Sequence, residues 1–156
     1  PLGGFQWRAG LFNGTGPKSF DNYQNKGLVA QGSKPLAGLD AALSLYLGRE
    51  AGMEKSLYAF SARKDFPAVR LQGEFVFGSF LGNDVSGYYL QAAHPLDERR
   101  TVALRLDTYD SGPETTTTVG FGGLYQLDPA TRVRAWYDSL EGPDNDHFYA
   151  EVQVVY

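Results

Sequence analysis

Apolar side chains return at every second residue along most of this chain, and that spacing decides what it can fold into. Alternate residues of a β-strand point to opposite sides, so a period of two builds sheets with two unlike faces. A helix needs a period of about 3.6. Ten segments carry the pattern: about Gly4–Phe12, Gly27–Lys34, Leu39–Gly48, Ser56–Lys64, Arg70–Ser79, Gly87–His94, Thr101–Tyr109, Thr117–Leu127, Thr131–Ser139 and His147–Tyr156. Leu39, Ala41, Leu43, Leu45 and Leu47 alternate most cleanly. The stretch Leu36–Leu47 is rich in helix formers, yet its period is two and Gly38 interrupts it. Clusters of Gly, Pro, Asn, Asp and Ser divide the segments, as turns do. The expected fold class is all-β: a single domain over residues 1–156, antiparallel and up-and-down, with about ten strands.

The connections are expected to alternate in kind. Those around Pro35–Gly38, Asp65–Val69, Pro95–Arg100 and Asp128–Thr131 are short. Asn13–Lys26, Arg49–Lys55, Phe80–Ser86, Asp110–Thr116 and Leu140–Asp146 are longer and more polar. In an antiparallel meander this collects the long connections at one end, as in transmembrane β-barrels with short periplasmic turns and longer extracellular loops. Strands of about 9–11 residues also suit a tilted bilayer crossing. Alternation alone leaves a soluble β-barrel open. The membrane barrel is favoured by aromatics near strand ends (Phe5, Trp7, Tyr58, Tyr88, Tyr125, Tyr137, Phe148, Tyr156), which suit interfacial girdles, and by glycines within strands.

Composition removes several classes of function. Of 156 residues, 14 are Lys or Arg and 18 are Asp or Glu, a net charge of −4, which argues against a nucleic-acid partner bound by phosphate neutralisation. No Cys is present, so disulfides, thiolate metal sites and Cys nucleophiles are excluded. The mean hydropathy is −0.33, a value that barrels share with soluble proteins because half of each strand faces a polar lumen. The start lacks the charged and apolar regions of a secretory signal, so any signal peptide is expected to be gone already. Entry at Pro1 suits a mature start, a proteolytic fragment or an engineered piece.

The ending, Phe148-Tyr-Ala-Glu-Val-Gln-Val-Val-Tyr156, resembles the terminal signal by which bacterial outer-membrane proteins reach their insertion machinery. Phe148, Val152, Val154 and Tyr156 carry that likeness. The rest resembles the C-terminal part of phosphate-selective porins of the O/P type, through Trp7-Arg-Ala-Gly-Leu-Phe-Asn-Gly-Thr-Gly16, Gly87-Tyr-Tyr-Leu-Gln-Ala92, Leu104-Arg-Leu-Asp-Thr-Tyr-Asp110 and Thr115-Thr-Thr-Thr-Val-Gly120. The resemblance implies a Gram-negative outer-membrane channel that meets lipid and the barrel insertion machinery, without a cofactor or covalent chemistry. Such porins close about sixteen strands around an aqueous pore. With ten, this chain either closes as a narrow barrel or forms part of a larger one, completed by a homo-oligomer or by additional strands. The basic residues credited with anion selection in the family lie largely outside the matching part, so none is carried over.

The face opposite the apolar one holds the candidate lumen-lining charges Arg8, Arg63, Arg70, Glu74, Arg105, Asp107, Arg134, Asp138 and Glu151. Their near balance fits a polar track for ions or small polar solutes, and equally a salt-bridge network that plugs a narrow lumen. Arg105 and Asp107 share a face, as do Arg134 and Asp138, and Arg134 and Glu151 lie on neighbouring strands. Tyr46, Tyr89, Tyr109, Trp136 and Tyr149 fall on the same side and suit lumen packing or stacking on a ring. The preferred function is passive diffusion. The first alternative is a plugged barrel or barrel subunit with an anchoring role; a weaker one is an outer-membrane hydrolase using Asp144, Asp146 and His147. Gly10–Gly16 lacks the Lys-Ser/Thr ending and the helix of a phosphate loop. No spacing suggests a metal site.

Overall fold

The computed structural model describes residues 4–13, 26–50, 53–140 and 146–154, with the side chains of residues 12, 13 and 50 left aside. Its elements are ten strands. β1 (Gln6–Asn13), β2 (Lys26–Leu36), β3 (Leu39–Glu50), β4 (Met53–Asp65) and β5 (Arg70–Phe80) form the first half. β6 (Asn83–Pro95), β7 (Arg100–Asp110), β8 (Thr115–Gln126), β9 (Thr131–Leu140) and β10 (His147–Val154) form the second. They pair in chain order, each antiparallel to the next, as one ten-stranded sheet. Among the described residues β1 is hydrogen-bonded only to β2, and β10 only to β9, so both outer edges of the sheet are open.

All ten expected segments are strands. Two of the connections read as long are not. β3 and β4 stay paired out to Glu50↔Met53, and β5 and β6 out to Phe80↔Asn83, which leaves residues 51–52 and 81–82 between them. Leu81 and Gly82 both have positive φ (55° and 82°), as do Ala37 and Gly38 (50° and 79°) between β2 and β3. Two successive left-handed residues make the hairpin turn whose twist matches that of the flanking strands. The polar run Asn83, Asp84 and Ser86 reads as a loop by composition, yet it continues β6. The eighth strand is shifted toward its start: it begins at Thr115 and ends at Gln126, and the Leu127 N–H donates to the Thr131 carbonyl at 3.0 Å.

Period two carries through the whole sheet. Cross-strand partners share a face, so the ladders sort every described strand residue onto one side or the other. On the apolar face β7 reads Arg100, Val102, Leu104, Leu106, Thr108, Asp110, and β6 reads Asp84, Ser86, Tyr88, Leu90, Ala92, His94. Charge is thus confined to the strand ends, with an apolar band between. An 11-residue strand such as β7, at about 3.3 Å per residue and tilted by about 45°, covers about 25 Å, the height of the apolar belt of a membrane barrel.

Carboxylates lock two of the short turns. Asp97 Oδ1 accepts the backbone N–H groups of Arg99 (2.9 Å) and Arg100 (2.7 Å), and its Oδ2 accepts from Arg100 Nε at 2.6 Å. Asp128 Oδ1 accepts from the N–H groups of Ala130 (2.8 Å) and Thr131 (2.9 Å). The bonds to Arg99 N–H and to Ala130 N–H, respectively, are the main causes that hold both carboxyls below their ordinary range. A third tie joins neighbouring turns, where His94 Nδ1 donates to the Ala68 carbonyl at 2.5 Å. A carboxyl with a lowered folded pKa contributes order that is present above its ordinary pKa and lost as pH falls through the folded value. Amide hydrogen exchange of Arg99, Arg100, Ala130 and Thr131 should therefore be slow at neutral pH and accelerate below about pH 4 beyond its intrinsic pH dependence. In an Asp97→Asn, Asp128→Asn variant that extra pH dependence should disappear.

Candidate lumen face

The polar side of the sheet is where the charged strand residues meet. Arg8, Arg63, Arg70, Glu74, Arg105, Asp107, Arg134, Asp138 and Glu151 all fall on it, as do Tyr46, Tyr89, Tyr109, Trp136 and Tyr149. One transverse row shows the arrangement: Asp40, Arg63, Gln72, Gln91, Arg105, Gly120, Asp138 and His147 are successive partners across eight strands. Asp40, Asp65 and Arg132 also belong to this face and were not singled out by sequence. Each lies at or next to a strand end, where turn composition masks parity.

Arg105 is the centre of the most enclosed cluster. Its Nε donates to Asp107 Oδ2 at 2.5 Å on the same strand, and a terminal nitrogen lies 3.4 Å from both oxygens of Asp138. That second contact spans from β7 to β9, over β8. It is open because β8 presents Gly120 and Gly122 on this face, with no side chains in the way. The Trp136 ring lies over these glycines, 6% exposed, and its Nε1 donates to Asp138 Oδ1 at 2.6 Å. The Arg105 guanidinium sits 5.1 Å from the Trp136 ring centre, within cation–π range. Sequence placed Arg134 on one face with Asp138 and made a cross-strand pair with Glu151 plausible. The ladder does place Arg134 opposite Glu151, and the two bond at 2.9 Å.

The remaining arginines are tied in the same way. Arg63 bonds Asp40 at 2.7 Å, Arg70 bonds Asp65 at 2.5 Å, and Arg132 donates to Gln153 Oε1 at 2.6 Å. Gln153 in turn donates to Glu151. Arg8 and Glu74 have no ion-pair partner among the described residues. A recess of about 420 Å³ lies on this face by Lys55, Glu74, Tyr89, Asp107 and Tyr109. A larger recess, about 1020 Å³, lies mainly over the apolar face around Ala62, Gly73 and Ala92, away from most of the polar network.

Of the residues named for hydrolysis, Asp146 and His147 are described. Asp146 accepts a 2.5 Å hydrogen bond from the Tyr137 hydroxyl, which is the main cause of its lowered pKa. His147 is the ladder partner of Asp138. Asp144 and Tyr156, like Gly14–Gly16, lie outside the described residues.

The apolar face has no second layer over it. Among the described residues only Val85 and Trp136 are buried apolar side chains, and both project from the polar face. Leu11, Phe148, Val152 and Trp7, all on the apolar side, are 60–77% exposed. A soluble sandwich would bury such side chains against a facing sheet.

No known family's sequence profile matches the chain, and no curated protein does. A solved structure of porin, refined at 1.8 Å, does match in shape, with a TM-score of 0.74 at 12% sequence identity over 97% of this chain. The sheet has the porin fold. The chain spans 58% of that porin's length.

The glycines under Trp136 give the first test of this face. A Cβ on Gly122 would stand 2.6 Å from the Ala135 carbonyl and press into the Trp136 ring. Gly122→Val is therefore expected to destabilise the folded protein by about 1–3 kcal/mol, read from urea unfolding in detergent, with the Trp136 emission shifted to the red. Gly10→Val, where a Cβ meets nothing within 4 Å, should leave that emission unchanged.

Proposed function

We propose that the chain forms the wall of an outer-membrane channel that passes ions and small polar solutes by passive diffusion. The observation that carries the reading is the match in curvature. Ten strands follow a porin wall over 97% of their length while spanning 58% of that chain. On that proportion the whole wall would hold about seventeen strands, in the range that leaves an aqueous lumen. A closed ten-strand barrel would instead be filled largely by its own side chains. The apolar band then meets lipid, its polar strand ends meet the headgroups, and the charged face lines water. This reading also supports an outer-membrane location and barrel-type insertion, to which Phe148, Val152 and Val154 on the lipid side would contribute.

The likeness to phosphate-selective porins raises the question of selectivity, and the pairing of charges bears on it. Most arginines on the polar face already hold a carboxylate or an amide oxygen. Such pairs cancel much of each other's field at a distance. The expected channel is therefore weakly selective. Asp138→Asn releases Arg105 from one of its two carboxylates and should shift the reversal potential in a KCl gradient toward that of chloride.

Single-channel recording of the refolded protein in planar bilayers tests the function directly. Discrete, long-lived conductance steps that grow with salt concentration are expected. Folded, inserted protein that gives no steps above background would refute the channel reading and leave the anchoring, subunit role.

A further inference from the structure

We infer that the smaller recess on the polar face is a binding subsite for organic cations, with an ammonium at Glu74 and an apolar body over Val76 and Val85. The inference rests on the reading of this face as the water-filled side of the wall.

The recess, about 420 Å³, has the size of a small-molecule site, and its lining departs from the face around it. Three transverse rows cross it, each two residues further along the strands. The first holds Glu74, Tyr89 and Asp107, and the second Val76, Gly87 and Tyr109. In the third, Leu57 and Val85 flank Gly78. Leu57, Val76 and Val85 thus project from the side that elsewhere carries the charges, and Val85 is buried there. Gly87 keeps the middle row low, because a Cβ would stand 2.9 Å from the Thr108 carbonyl oxygen. Carboxylates therefore lie in one row, and an apolar floor runs away from them. Rows two residues apart are about 7 Å apart, a step that an ammonium joined to an aromatic ring by two carbons can cover.

Charge decides which guest fits. Asp107 is already held by Arg105 at 2.5 Å, whereas Glu74 bonds no cation among the described residues. A carboxylate without a counter-ion beside apolar surface attracts a cation and repels an anion. The aromatic rim suits the same guest, since ammonium groups are drawn to ring faces. The far end of the recess already shows that contact: Lys55 Nζ lies 4.1 Å from the Phe80 ring centre and 5.2 Å from that of Tyr46. A neutral aromatic would gain the floor without Glu74, and a carboxylate-bearing one would meet repulsion.

The test is a titration of the protein, folded in micelles of uncharged detergent, with 2-phenylethylammonium. NMR signals of the Val76 and Val85 methyl groups report the site. Saturable shifts of both are expected, with 2-phenylethanol and 3-phenylpropionate each binding at least about tenfold more weakly. Glu74→Gln should weaken the amine about tenfold and leave 2-phenylethanol unchanged. Val76→Phe, which fills the floor, should weaken amine and alcohol alike at Val85. Circular dichroism checks the β-structure of each variant.

Three results would overturn the inference: no saturable shift at the two valines, 2-phenylethanol binding as tightly as the amine, or amine binding indifferent to Glu74→Gln. Conductance is read separately in planar bilayers. Binding that depends on Glu74 without conductance would sink the channel and spare the subsite. Conductance without such binding would do the reverse.

Discussion

The antiparallel hydrogen-bond ladder is the constraint on which everything else in this protein depends. It satisfies the backbone between neighbours and fixes the side from which each residue projects. Because that side alternates strictly, a shift of one residue in any ladder would carry Arg105 into the apolar band and Leu104 into the polar cluster. Ten strands joined without such a slip produce a sheet with charges on one face and an apolar band on the other. Among the described residues β1 and β10 are each paired on one side only.

The polar face shows how a single-layer sheet acquires rigidity without an apolar core. Trp136 takes the place that a core side chain would fill, and β8 makes room for it by presenting glycine twice. Arg105 is then held from three directions: Asp107 along its own strand, Asp138 across β8, and the indole ring below it. Partly exposed ion pairs contribute little singly. Here they share partners with one another and with an indole N–H, and this orders long side chains on the polar face.

Much of this was legible in the sequence, for a particular reason. Parity needs only local order, so Leu104, Arg105, Leu106 and Asp107 reveal their faces as soon as the strand is recognised. What was missed lies where local composition misleads. Asn83, Asp84 and Ser86 have the polarity of a loop but extend β6 above the apolar band. Asp40, Asp65 and Arg132 sit at or next to strand ends beside turns, and their ion pairs and hydrogen bonds depend on partners up to 23 residues away in the chain. The partner of Asp138 is 33 residues back on β7, reached only because Gly120 is bare, and no local spacing pointed to it.

The sequence by itself determined the strands, their two faces and the sign of each, because these follow from a period that every residue obeys independently. Only the tertiary structure decided that Arg105 meets Asp138, since that requires the register of three strands at once. It alone decided the curvature as well. Ten strands can close tightly or form a little over half of a wide wall, and the choice lies in the twist and stagger accumulated across the whole sheet, to which no single segment testifies.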